Sequence, residues 1–272
     1  MQIRTEWKTL ILPAAAALLL SAFMLGGCSG GTSSTITEAG STTVQPLAEK
    51  LANAFKAKNP DVNIVIQGGG TAVGIKSVND GTVDIGAASR ELKAGEPNLI
   101  KFLLARDGIA IIVHPSNPVT NLTKKQVRDI YAGNITNWSQ VGGKNKEIHV
   151  IAREEGSGTR TAFEDMVMNK ELIKASTILL PANGAIMTAV SSNPQAIGFV
   201  SFGYIDSEVK ALAIDSVAAT IENAKNGSYP IVRPLYFLTK QQPTGLVKNF
   251  IDFCKGPEGQ QLIAEEGYIP ND

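Results

Sequence analysis

The amino-acid sequence predicts an α/β fold with mostly parallel strands. Short apolar runs of strand length alternate with helical patterns along most of the chain. The stretch "VNIVIQ" (62–67) has an apolar side chain at every second position, as a half-buried strand does. The stretch "PLAEKLANAFKAKNP" (46–60) has Leu47, Leu51 and Phe55 on one helical face, and Asn59-Pro60 ends it.

The later elements continue this alternation. The run "GIAIIVHP" (108–115) predicts a buried strand that ends at Pro115. The segment "TKKQVRDIYAGN" predicts a helix that begins with a capping box between Thr123 and Gln126 and ends at Gly133. Further strands are predicted for "EIHVIAR", "AIGFVSF" and "IVRPLYFLT", and a helix carrying Phe163, Met166 and Val167 follows the first of them.

The first 27 residues have the pattern of a secretory signal peptide. Arg4 and Lys8 precede an uncharged apolar run that is short for a membrane span, and small residues follow it. The stretch "LGGC" resembles the lipobox of prokaryotic lipoproteins, in which the cysteine, here Cys28, becomes the lipidated first residue. A plain signal peptide is the alternative. Residues 28–34 are predicted to be the lipidated cysteine and a flexible tether.

Composition excludes several classes of function. The chain has 25 basic and 25 acidic residues, and this balance argues against nucleic acid as a partner, because such binding needs a basic face. If Cys28 is acylated, Cys254 has no partner for a disulfide within the chain. His114 and His149 lie far apart without other ligands at metal-binding spacing, so we expect no metal.

Four predicted strands end in loops of similar chemistry. These loops are "EAGSTTVQP" (38–46), "QGGGTAVG" (67–74), "GAASREL" (86–92) and "AREEGSGTR" (152–160). In open α/β sheets, ligands bind outside the carboxyl ends of the strands. Helix N-termini at such ends present free N–H groups and a partial positive charge, which favour anions.

Each loop has a simpler interpretation when it is taken alone. Ser and Thr at a strand-to-helix turn are ordinary N-caps. The segment "GGGTAVG" has neither the glycine spacing of the dinucleotide fingerprint nor the Gly-Lys-Ser/Thr of a P-loop. Four such loops with two arginines, however, suit a small and fully enclosed oxyanion, whose charge bidentate Arg would balance.

The loops also carry a resemblance to a known family. In this order, "GSTTVQP", "GGGTAVGIKSV", "VDIGAASREL", "LTKKQVRDIYAGNITNWSQVGG", "REEGSGTRTAFE" and "AIGFVSFGYI" resemble the substrate-binding protein of the phosphate-specific ABC importer. The resemblance extends from about residue 35 to the C-terminus. It implies a type II periplasmic-binding-protein fold, in which two α/β lobes are joined by two hinge strands. Lobe I would be residues 35–113 plus 232–272, and lobe II residues 114–231.

The resemblance implies roles for individual residues. Arg153 would face the anion, Glu155 would pair with Arg153, and Arg160, one helical turn further on, could reach the ligand as well. The other matching positions are Ser157, Gly158 and Thr159 in lobe II, and Ser41, Thr42, Thr43, Thr71, Ser89 and Arg90 in lobe I. The chain departs from the best-known members at Ser89, where they have a carboxylate that accepts a hydrogen bond from protonated phosphate.

The function implied is binding of inorganic phosphate outside the cytoplasm and its delivery to an ABC permease. The protein would be a monomer without cofactor, held at the cell membrane by a lipid on Cys28. The alternatives are a binding protein for molybdate, tungstate or sulphate, an enzyme, and a surface sensor or adhesin without a transporter. An enzyme is disfavoured because "EGSGT" lacks the spacing of a nucleophile elbow and the four loops contain no histidine to act as a base.

Overall fold

The computed structural model describes residues 34–271. The predicted signal peptide, Cys28 and the rest of the predicted tether up to residue 33 lie outside this range. Ser34, the last residue of the predicted tether, is the first residue of a strand.

Strands and helices alternate along the described chain. The strands are β1 (Ser34–Gly40), β2 (Val62–Gln67), β3 (Ile85–Ala88), β4 (Ile100–Val113), β5 (Asn121–Leu122), β6 (His149–Arg153), β7 (Ile178–Leu180), β8 (Ala196–Ser201), β9 (Lys210–Ala211), β10 (Ala213–Ile214) and β11 (Val232–Thr239). The helices are α1 (Gln45–Lys58), α2 (Thr71–Asp80), α3 (Lys124–Ala132), α4 (Gly158–Phe163), α5 (Asn183–Ser191), α6 (Ile221–Lys225), α7 (Gly245–Lys255) and α8 (Pro257–Glu265). A π-helical turn, Glu164–Met168, continues α4.

The main sheet is parallel at its two ends and antiparallel in its middle. Its strand order is β2-β1-β3-β11-β4-β8-β6-β7, and β9 also pairs with β4. The pairs of β1 with β2 and β3, and of β6 with β7 and β8, are parallel. The prediction of mostly parallel strands therefore holds at the two ends of the sheet but not in its middle, where β11 pairs antiparallel with β3 and β4, and β4 pairs antiparallel with β8 and β9. In the middle, β4 leaves lobe I and β11 returns to it, so these two strands run in opposite directions.

Each lobe has its own hydrophobic core. In lobe I, the apolar face of α1 packs with α7, and Phe55 makes an edge-to-face contact with Phe250. In lobe II, the rings of Phe163 and Phe199 stack with centroids 4.2 Å apart. Along β4, Ala105 belongs to the first core and Ile109 to the second, so this one strand contributes to both. No helix among residues 34–271 combines the length and apolarity needed to cross a membrane.

Two predicted elements illustrate how local signals compare with the structure. The α3 prediction is confirmed, since Thr123 and Gln126 form a reciprocal capping box and Gly133 closes the helix in the left-handed conformation. The strand predicted from residue 108 begins earlier, at Ile100. The part of β4 before Gly108 contains Lys101, Arg106 and Asp107, which interrupt the apolar run, and this part is stabilised by pairing with β11.

Candidate anion-binding site

The four loops singled out in the sequence meet between the lobes. Strands β1, β2 and β3 are adjacent and parallel, so the loops at their carboxyl ends lie at one edge of lobe I. The loop after β6 approaches them from lobe II. The hydroxyls of Thr43 and Thr159 are 3.1 Å apart, and the N–H of Ala72 donates to the carbonyl of Gly156 at 3.0 Å. The structure is therefore closed, with the two lobes in direct contact.

The predicted hydroxyl side chains are brought together and removed from solvent. All of them are at most 8 % exposed; they are Ser41, Thr42, Thr43, Thr71, Ser89, Ser157 and Thr159. Ser157 is the N-cap of α4 and accepts from the N–H of Arg160. The first N–H groups of α4 have no acceptor within the helix, so hydroxyl and backbone donors are concentrated at this point.

Gly158 lies directly against two hydroxyls of lobe I. A Cβ atom at this position would lie 2.3 Å from Oγ1 of Thr71 and 2.5 Å from Oγ of Ser89. Both distances are far shorter than a normal contact. Only glycine allows the start of α4 to lie against the two lobe I hydroxyls.

Arg153 is a buried arginine with two unpaired nitrogens. It is the last residue of β6 and is 1 % exposed. Its Nη2 donates to the carbonyl of Pro181 at 2.6 Å, but its Nε and Nη1 are buried without a hydrogen-bond partner. Burial, together with the positive charge of Arg233, lowers the pKa of Arg153 to about 10. Buried donors without acceptors are costly, so these nitrogens indicate a place for an anion.

The pairing expected between Glu155 and Arg153 is not formed. Residues 154–156 form a solvent-exposed turn, and Gly156 has φ +82°, so Glu155 is exposed while Arg153 is buried beneath the turn. Arg160 pairs instead with Glu164, at 2.8 Å, and donates to the carbonyl oxygen of Arg153. Arg160 therefore supports the backbone of Arg153.

Arg90 is buried near the site, but its terminal nitrogens are already occupied. Nη1 and Nη2 bind the two carboxylate oxygens of Glu96 at 2.8 and 2.6 Å, and Nη1 also donates to the carbonyl of Glu91. The two parallel hydrogen bonds are the bidentate arrangement that guanidinium and carboxylate groups favour. Only Nε of Arg90 is buried without a partner. Glu96 thus largely balances the positive charge of Arg90, which the sequence predicts to face the ligand.

The sequence did not point to a buried ion pair on the two hinge strands. Asp107 on β4 lies directly opposite Arg233 on β11, and its Oδ2 accepts from Nε and Nη2 of Arg233 at 3.1 and 2.9 Å. Oδ1 accepts from the hydroxyl of Ser201, the last residue of β8, and from the N–H of Phe202, the next residue. The sequence has one charge within the predicted strand "IVRPLYFLT" and one directly before the predicted strand "GIAIIVHP", but nothing in it shows that the two face each other.

Burial affects the ionisation of this pair and of a neighbouring tyrosine. Burial raises the pKa of Asp107 and lowers that of Arg233, and the attraction between the two charges opposes both shifts. The hydroxyl of Tyr204 donates to the carbonyl of Thr42 at 2.8 Å, across the interface of the lobes. Burial raises the pKa of Tyr204, while the charge of Arg153 opposes the shift.

Two further residues connect the lobes through side chains. Asn183, at the start of α5, donates through Nδ2 to the hydroxyl of Thr43 at 3.0 Å. Lys93 extends from lobe I to the hydroxyl of Thr161 on α4, at 3.4 Å. Within residues 34–271 there is no cluster of three or more His, Cys, Asp or Glu side chains that could hold a metal ion. The arrangement offers hydroxyls, amides and guanidinium groups, which together can enclose an anion.

Comparison with known proteins agrees with this chemistry. The model of the PBP superfamily domain matches residues 28–258. The phosphate-binding protein PstS of Bacillus subtilis (strain 168) is 34% identical over 244 residues, which cover 88% of this chain and 81% of that protein.

Solved structures show the same architecture. A protein from Clostridium perfringens, solved with bound phosphate and assigned as a phosphate ABC transporter substrate-binding protein, aligns with a TM-score of 0.86 and 42% identity, covering 88% of this chain and 100% of that one. An ABC-type phosphate transport receptor from Vibrio cholerae aligns with a TM-score of 0.73 and 37% identity, covering 87% and 100% of the two chains.

Proposed function

Because this chain belongs to the PBP superfamily and, within it, to the family of the phosphate-binding protein PstS, we propose that it binds inorganic phosphate between its lobes. It then delivers the phosphate to the permease of an ABC importer. The names of its relatives state the ligand, phosphate, and the role, transport, and the proposal extends both to this chain.

One observation in this chain supports the proposal most directly. Nε and Nη1 of Arg153 are buried without acceptors. Arg153 is near enough to Arg233 for that charge to lower its pKa, and Arg233 donates to the buried hydroxyl of Thr43. An anion there would satisfy both nitrogens and balance the charge of the guanidinium group. Burial without such compensation would be costly, and a tetrahedral oxyanion has enough acceptor oxygens for several donors at once.

The proposed site uses residues of both lobes. Arg153, Ser157, Gly158 and Thr159 come from lobe II, with Ser41, Thr42, Thr43, Thr71, Ser89 and Arg90 from lobe I. We keep lobe I as residues 35–113 plus 232–272 and lobe II as residues 114–231. Phosphate would favour the closed form because it contacts both lobes there, and opening about β4 and β11 would release it.

The location and the assembly state belong to the same proposal. Residues 1–27 would be removed on export, and a lipid on Cys28 would hold the protein at the outer face of the cell membrane, within reach of the permease. The protein would act as a monomer, without cofactor and without enzymatic activity. Mass spectrometry of the exported protein tests the anchor, because a lipidated Cys28 and a plain cleaved N-terminus differ in mass.

Calorimetry on residues 34–272 tests phosphate binding. Arg153→Ala should weaken binding by about 2–5 kcal/mol, the range for removing one partner of a buried charged pair. Arg106→Ala is the matched control, since Arg106 is solvent-exposed. The phosphate affinity of this variant should stay close to that of the wild type. If the wild type binds no phosphate, or if both variants bind like it, the proposed site is refuted.

Competition defines which oxyanion the site prefers. The nearby carboxylates of Glu96 and Asp107 are already occupied by Arg90 and Arg233, and Glu155 is exposed. We propose that the acceptor for a phosphate proton is a hydroxyl, such as those of Thr71 and Ser89, which are 3.4 Å apart. Titrations with sulphate, molybdate and tungstate should give weaker binding than phosphate. Tighter binding of any of them would assign the protein to that anion, and hydrolysis of a phosphomonoester would indicate an enzyme.

A further inference from the structure

The hydroxyl of Thr43 has more polar neighbours than the other hydroxyls of the site. Oγ1 lies 3.0 Å from Nη2 of Arg233, 3.0 Å from Nδ2 of Asn183 and 3.1 Å from Oγ1 of Thr159. These neighbours belong to β11, α5 and α4. Thr43 itself is fully buried. One lobe I hydroxyl is thus held by a hinge strand and by two helices of lobe II.

The three contacts fill the hydrogen-bonding capacity of this hydroxyl. A threonine hydroxyl has one proton and two lone pairs. Arg233 can only donate, and the amide nitrogen of Asn183 can only donate, so these two groups take both lone pairs of Thr43. The orientation of the Asn183 amide is fixed independently, because its Oδ1 accepts from the N–H of Ser201. The proton of Thr43 is left with one acceptor, which is Oγ1 of Thr159.

The direction of the hydrogen bond from Thr43 to Thr159 determines what Thr159 can offer to a ligand. Because Thr159 accepts from Thr43, the proton of Thr159 is turned away from Thr43 and is free to donate elsewhere. We propose that Thr43 is a positioning residue and not a phosphate ligand: together with Arg233 and Asn183 it fixes the Thr159 hydroxyl as a hydrogen-bond donor toward the phosphate. The inference rests on the proposed function. Within the proposed site it gives Thr43 a supporting role in place of the ligand contact that the family resemblance implies.

The groups that hold Thr43 form a closed ring. Nη2 of Arg233 binds both Thr43 and Oδ2 of Asp107. The other carboxylate oxygen of Asp107 accepts from the hydroxyl of Ser201, whose N–H binds Asn183, and Asn183 returns to Thr43. Within such a ring each group restricts the next, so the direction of the Thr43 proton is fixed once the lobes are closed.

The second hydroxyl pair of the site has no such restriction. Oγ1 of Thr71 accepts from the N–H of Ser89 at 3.1 Å, and the two hydroxyl oxygens are 3.4 Å apart. Either hydroxyl can donate to the other, so Ser89 can present a donor or an acceptor to a ligand. The site thus combines one hydroxyl with a fixed direction and one pair that can reverse, and the ligand proton of phosphate fits the reversible pair.

A double-mutant cycle separates a positioning role from direct contact. Phosphate affinity would be measured by calorimetry for the wild type, Thr43→Val, Thr159→Val and the double variant. We expect Thr43→Val to weaken binding about three- to tenfold, the effect of losing one neutral hydrogen bond. In the Thr159→Val background it should have no further effect, because its influence passes through Thr159. Thr43→Ser keeps the hydroxyl and should restore the affinity of the wild type.

Two outcomes of these measurements would contradict the argument. If the two losses add in the double variant, Thr43 contacts the phosphate directly and the inference is wrong. If the wild type itself does not bind phosphate, the proposed function fails first. Valine at position 43 should be tolerated, since both donors retain another partner. Arg233 still pairs with Asp107, and Nδ2 of Asn183 lies 3.5 Å from the hydroxyl of Thr42. Thermal unfolding without ligand checks this, and Thr43→Ala replaces valine in the cycle if Thr43→Val does not fold.

Discussion

Adding one methyl group at Gly158 should prevent the lobes from closing around a ligand. In the closed structure the new Cβ would lie 2.3 Å from the hydroxyl oxygen of Thr71 and 2.5 Å from that of Ser89. Thr71 cannot give way freely, because its hydroxyl accepts from the buried N–H of Ser89. Separation of the lobes would remove this contact, so the strain applies to the closed form alone.

The magnitude follows from these contacts. Overpacking a buried site by one methyl group costs about 1–3 kcal/mol. Displacing Thr71 would also leave the N–H of Ser89 unsatisfied, which costs about 1–3 kcal/mol. Since the lobes can separate slightly to relieve part of the strain, we expect Gly158→Ala to weaken phosphate binding by about 2–4 kcal/mol. This corresponds to roughly 30- to 1,000-fold in the dissociation constant.

Gly184 provides a matched control on the same lobe. It lies near the start of α5, and a Cβ atom there would meet no atom within 4 Å. Gly184→Ala should therefore bind phosphate like the wild type. Calorimetry gives the affinities, and small-angle scattering should show compaction with phosphate for the control but not for Gly158→Ala. Binding by Gly158→Ala within twofold of the wild type would refute the argument that closure requires glycine here.

Two further predictions concern stability and thiol chemistry. Asp107→Asn keeps the shape of the side chain but leaves Arg233 buried without its counter-ion, so the free energy of unfolding in urea should fall by about 3–5 kcal/mol. Asp252→Asn, which removes an exposed pair with Lys248, should change it little, and equal effects would contradict the buried-pair argument. Burial raises the pKa of Cys254, so in residues 34–272 its thiol should react slowly with a disulfide reagent in the native state and rapidly in urea. Rapid reaction of the native protein, followed by absorbance, would contradict this.

Features encoded over a few residues could be predicted from the sequence. The capping box of α3 needs only Thr123 and Gln126, three positions apart, and the structure forms it. The loops after β1, β2, β3 and β6 can be recognised in the sequence because hydroxyl and glycine residues directly follow apolar strands. The parallel order of these strands then brings the loops to one place. The location of the candidate site is therefore a local property combined with a general rule of α/β sheets.

The partners of the charged side chains could not be predicted in the same way. Glu155 is two residues from Arg153, yet the turn exposes it, and Arg153 binds a carbonyl 28 positions away. Asp107 and Arg233 are 126 positions apart and meet only because β4 and β11 pair in one register. The sequence also does not show that Glu96 binds both terminal nitrogens of Arg90. Side-chain pairing depends on register and loop geometry, which a single sequence does not specify.

The path of the chain through the sheet imposes an order on folding. The core of lobe II is built from residues 109–231 apart from Ile269, so nearly all of it is available once that stretch has been synthesised. Lobe I must wait, because β11 lies between β3 and β4 and comes near the end of the chain. Until β11 pairs, both of these strands expose unpaired backbone groups, which are templates for association with other chains. The stage most exposed to aggregation is therefore the interval before residues 232–239 enter the sheet.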